Sequence, residues 1–116
     1  MKKLLTLEEL AQFLLGVYLF SRLEFAWWWF PVLILLPDLS MVGYLINPKI
    51  GAWIYNFFHH KLLAISVLIL AYTIDSQMFN LSGVILFSHS AMDRIFGYGL
   101  KYEDAFTNTH LGKIGK

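Results

Sequence analysis

Asp38, His59, His89 and Asp93 are the side chains of this sequence best placed to do chemistry, because each interrupts a long apolar stretch. His89 and Asp93 stand four residues apart, so on a helix they share one face, about 6 Å apart along the axis. Asn56 has His59 and His60 at helical spacing on either flank, which turns at least one of the two imidazoles inward. Asp38 follows Pro37, whose missing N–H should kink the helix and free a backbone carbonyl nearby. Imidazoles and carboxylates together suit Zn²⁺ or another divalent ion, and three or four such ligands leave room for an activated water. An imidazole and a carboxylate on one helix also supply a ligand and the group that orients it.

Such residues need elements to hold them, and composition says which. Of 116 residues 58% are hydrophobic and 15% charged, with a mean hydropathy of +0.59. So few charges cannot cover a small soluble domain, which excludes a soluble monomer and a disordered chain. A net charge of +1 gives no field for nucleic acid. The absence of cysteine removes disulfides and thiolate metal sites. No HExxH, GxSxG, P-loop or GxGxxG pattern is present. The expected fold is all-α, an integral membrane up-and-down bundle of four transmembrane helices. The helices are expected over about 7–22, 26–46, 50–73 and 79–98, within a single membrane domain 1–116 that ends in a short cytoplasmic tail, 99–116. Turn residues at 21–24, 47–49 and 75–77 separate them. Glu8 and Glu9 interrupt the first apolar run, so it reads as a retained helix rather than a signal peptide.

Lys2, Lys3, Lys49, Lys101, Lys113 and Lys116 fall on one side of such a bundle and Arg22 on the other, which places both termini in the cytoplasm. Trp27, Trp28 and Trp29 then mark the outer interface. In that frame Asp38 and Asp93 lie past the midpoints of inward-running helices, and residues 56–60 lie early in an outward-running one. Glu8 opens the first helix at the same face, so His and carboxylate groups from several helices gather in the inner half of the membrane. An ionised residue at the bilayer centre costs roughly 2.5–3.5 kcal/mol, so Asp38, Lys61, Asp93 and Arg94 together would cost roughly 10 kcal/mol. A whole domain is stable by only about 5–15 kcal/mol, so these groups must meet one another, a metal or water.

PDLSMVGYL at 37–45, YNFFH at 55–59, HSAMDRIFGYGLKY at 89–102 and THLGKIG at 109–115 resemble the signature segments of a small bacterial membrane-protein family, domain of unknown function 4260. LEEL at 7–10 is similar to that family's opening, with Glu8 at its acidic position. The resemblance spans about residues 7 to 116 and implies four transmembrane helices, multi-pass in a bacterial inner (plasma) membrane, with no established activity. More distantly, the chain resembles membrane-bound metal-dependent hydrolases. That likeness implies Asp38, His59, His89 and Asp93 as the site, with His110 and Glu8 as further members.

The expected function is therefore a divalent-metal-dependent hydrolase with an intramembrane site near the cytoplasmic side. Asp38, His59 and His89 would hold the metal, and Asp93 or Glu8 would complete the shell or act as general base, with His110 as an added ligand. Its partners are expected to be the lipid bilayer, a lipid or small-molecule substrate and further copies of the chain, with no nucleic acid. Other readings of the same residues are an oligomeric ion, proton or solute carrier subunit, a haem protein with axial histidines, and a non-catalytic accessory protein. In a metal-free reading, Lys61 and Arg94 would be counter-ions to Asp38 and Asp93, or His89 and Asp93 would simply join helices.

Overall fold

Proline and glycine positions decide where this apolar chain can remain helical. The computed structural model describes residues 1–96, 99–100, 108–109 and 111–113. It contains α1 (Lys2–Ser21), α2 (Trp29–Leu33), a 3₁₀ helix (Leu36–Leu45), α3 (Pro48–His59), α4 (Lys61–Ile74) and α5 (Gln77–Ile95). A minimal antiparallel ribbon, β1 (Asn108–Thr109) with β2 (Gly112–Lys113), follows in register Asn108↔Lys113. The architecture is all-α in every substantial element.

Two of the expected helices come out differently. The stretch 26–46 carries Pro31 and Pro37, each lacking a backbone donor, and becomes the short α2 followed by the tighter 3₁₀ helix with Pro37 in its first turn. The stretch 50–73 breaks at His60, whose extended backbone (φ −86°, ψ 130°) separates α3 from α4 at a bend of 43°. His60 Nδ1 accepts the Leu62 N–H at 3.0 Å and so caps α4. Among the described residues Lys3–Ser21 is the one helix long and apolar enough to cross a membrane, and α3 with α4 qualifies only as a bent pair. One or two such segments therefore stand where four continuous spans were expected.

The helix joints follow capping chemistry. Asn47 Oδ1 accepts the Ile50 N–H at 2.8 Å, and Pro48 occupies the first helical position, where no donor is needed. Asn47→Ala is expected to cost about 1 kcal/mol, read as a lowered unfolding temperature in detergent. Asp75 closes α4 in the left-handed region (φ 54°), and Ser76 Oγ accepts the Phe79 N–H at 3.2 Å to open α5.

The core forms around α5, which packs against α1, α4 and α3. Leu81, Val84 and Ile85 of α5 meet Phe20 of α1, with Phe30 and Leu68 against them. Close approach of α1 to α5 depends on Gly16, where a Cβ would collide with the Ser88 side chain. Outward faces stay apolar: Leu14, Tyr18, Trp27, Leu45 and Ile69 are all exposed. The most buried helix is thus the one richest in Ser, His and Asp.

Candidate metal centre

Three segments deliver four ligand-type side chains to one point. Asp38 stands in the first turn of the 3₁₀ helix, His59 ends α3, and His89 and Asp93 occupy successive turns of α5. One ligand atom from each lies within 4.8 Å of all the others. His89 Nε2 is 3.0 Å from Asp38 Oδ1, 3.2 Å from Asp93 Oδ2 and 3.1 Å from His59 Nε2. His59 Nε2 is 3.4 Å from each carboxylate. A tetrahedral ion with bonds of roughly 2.0–2.1 Å sets its ligand atoms about 3.3–3.4 Å apart. Five of the six separations in the cluster, at 3.0–3.4 Å, lie at or somewhat below that edge length, and all six are within 4.8 Å.

The backbone fixes the proton on each ring. His59 Nδ1–H donates to the Tyr55 carbonyl one turn earlier, at 2.9 Å. His89 Nδ1–H donates to the Ile34 carbonyl. That carbonyl is open because of Pro37: a 3₁₀ turn would pair it with the nitrogen of residue 37, which has no hydrogen, and the Asp38 N–H is already bound to Leu35. The freed carbonyl expected near Asp38 is therefore present and used. With both Nδ1 atoms acting as donors, each neutral ring turns its Nε2 lone pair to the cluster. Two imidazole Nε2 atoms and two carboxylates converge, and a cation, or a proton held between an imidazole and a carboxylate, would satisfy their facing lone pairs.

Further groups hold the ligands in place. The Tyr55 hydroxyl donates to Asp93 Oδ2 at 3.2 Å, and its ring stacks on His59 with centroids 3.8 Å apart. Ser90 Oγ donates to the His59 carbonyl at 2.7 Å, tying the end of α3 to α5. Tyr55 was not singled out in the sequence; the available signal was its position one helical turn before His59. The cluster is unevenly covered: the His59 and His89 side chains are 3% and 1% exposed, Asp93 10% and Asp38 35%.

The remaining expected site residues fall elsewhere. Glu8 is exposed on α1, outside the cluster, and His110 lies outside the described residues. Of the two adjacent histidines His59 enters the cluster and His60 caps a helix. Lys61 is not a counter-ion to Asp38, because it pairs with Glu9 of α1. Arg94 forms no ion pair among the described residues, so the metal-free pairing with Asp93 is absent there.

The fold and site define an all-α protein, apart from one ribbon of two-residue strands, with a largely buried cluster of two histidines and two aspartates. A family model described as Domain of unknown function (DUF4260) matches residues 2–114, and the chain belongs to that family. No curated protein matches the chain, and no solved structure does.

Proposed function

We propose that the protein is a divalent-metal-dependent hydrolase set in a membrane, with Asp38, His59, His89 and Asp93 holding the ion. In this reading α1, the proline-broken segment 29–45, the bent pair α3–α4 and α5 are the four membrane-embedded elements, with both termini cytoplasmic. The observation that carries it is the convergence of four lone-pair donors within 4.8 Å of one another, with the far nitrogen of each imidazole tied to a carbonyl.

A bound divalent ion would supply Lewis acidity and a water acidified toward neutral pH. His59 and His89, buried and fixed by their carbonyl partners, would hold such an ion through their Nε2 atoms. Asp93, held by the Tyr55 hydroxyl, gives the third fixed donor. Catalytic sites keep one position open beside three protein ligands, and the partial exposure of Asp38 supports assigning it as the one of the four ligands that would leave the ion to open that position. Asp38 would then take a proton from water as the water oxygen bonds to the electrophilic atom of the substrate. It returns that proton to the leaving oxygen as the scissile bond breaks. Glu8, exposed and outside the cluster, is assigned no part.

Elemental analysis of detergent-purified protein tests the reading: a single divalent ion per chain is expected, followed by metal-dependent turnover in a screen of lipid esters and phosphoesters. Protein that holds no stoichiometric metal after dialysis against Zn²⁺ would overturn it. Tyr55→Phe keeps the ring stack and deletes one hydrogen bond to Asp93. It is expected to weaken metal affinity by about 10–100-fold, measured by competition with a chromogenic chelator.

A further inference from the structure

Beside the cluster, between the 3₁₀ helix, α3 and α5, lies an apolar cavity of about 470 Å³. That volume falls in the roughly 300–1,000 Å³ range of small-ligand sites. Its walls include Leu36, Pro37, Ile54, Phe58, Leu81 and Ile85. The single hydroxyl among the lining side chains, on Ser82, already donates to the Met78 carbonyl at 2.9 Å. No side-chain donor is left to recognise a polar group, so the cavity suits plain hydrocarbon.

Wall and cluster share backbone. Pro37 precedes Asp38, Phe58 precedes His59, and Ile85 stands one turn before His89. None of the four cluster side chains lines the cavity; they adjoin it through the shared backbone, and Asp38, the most exposed of the four, directly follows the wall residues Leu36 and Pro37. Wall residues Leu36, Leu39 and Phe58 are themselves exposed, which opens the cavity to acyl chains in a bilayer.

We propose that the cavity seats the hydrocarbon chain of a membrane amphiphile whose polar head meets the cluster at Asp38, which makes the substrate a long-chain lipid rather than a polar solute. This rests on the metal-hydrolase reading above. Within a bilayer the chain leaves one apolar medium for another, so selection comes from fit to the walls rather than from hydrophobic transfer.

The test is photo-crosslinking with hexadecyl phosphate carrying a diazirine at its chain end, on full-length protein in lipid nanodiscs, beside metal analysis of the same samples. Saturable labelling is expected within residues 54–58 and 81–86, competed by unlabelled hexadecyl phosphate and not by butyl phosphate. Leu81→Trp, which fills the cavity, should reduce labelling by about tenfold or more while metal content is unchanged. Val42→Trp, on an exposed part of the wall, gives the same readout if the core variant fails to fold. Labelling spread over lipid-facing α1, or unchanged in either folded variant, overturns the proposal. Metal-loaded protein without saturable labelling refutes the chain site and leaves the metal reading standing; saturable labelling on protein that binds no metal does the reverse.

Discussion

His89→Ala is expected to abolish stoichiometric metal binding, lowering affinity by well over 100-fold, since loss of a mere supporting group already costs about 10–100-fold. His89 touches all three other ligands, at 3.0, 3.1 and 3.2 Å, and is fully buried. Removing it leaves two carboxylates and one imidazole around a void. His60→Ala is the matched control, because it deletes a neighbouring imidazole that caps α4 and touches no ligand. Elemental analysis of both variants decides the matter: equal metal content in the two would mean that the ion sits elsewhere. The same comparison separates a metal centre from a pair of helix-joining histidines, which would lose stability in His89→Ala with no change in bound metal.

Gly16→Leu is expected to destabilise the fold by about 1–3 kcal/mol, through overpacking at the α1–α5 crossing. The smaller change Gly16→Ala makes the sign diagnostic. On an open helix surface alanine gains about 1 kcal/mol over glycine. Here the new methyl would meet the Ser88 side chain, so a loss is expected. The Ser88 Oγ is buried and has no hydrogen-bond partner among the described residues. Ser88→Ala should therefore be neutral or stabilising by about 1 kcal/mol, and should rescue Gly16→Ala in a double-mutant cycle. Thermal unfolding in detergent reads all four proteins, and additive single effects would show that the helices are not in contact at this point.

The site was more legible in the sequence than the helices that carry it. Asp38, His59, His89 and Asp93 stand out because a charged or imidazole group amid leucine and isoleucine has to be compensated, and that cost acts whatever the backbone does. The spacing of His89 and Asp93 gave their shared face, and Pro37 gave the open carbonyl that now orients His89. Helix continuity was harder to see. Hydropathy counts side chains and is blind to Pro31, Pro37 and the extended backbone at His60, so the second and third stretches looked like single helices. The depth argument also drew Glu8 into the site, although on α1 it is the neighbouring Glu9 that faces another helix, meeting Lys61. Nothing in the periodicity marked α5 as the central helix. Its buried face mixes Ser88, His89, Ser90 and Asp93 with Val84 and Ala91, as suits a helix surrounded by protein rather than lipid.

The hydrogen-bonded contacts that join the centre span 21, 30 and 51 residues of chain. On a growing polypeptide Asp38 and His59 emerge long before α5 exists to receive them, so no half-built version of the centre can hold an ion tightly. Metal acquisition on this reading is a late event in biogenesis, after the last helix has docked. Cells starved of the ion during synthesis would accumulate an inserted, empty protein that a later supply could charge.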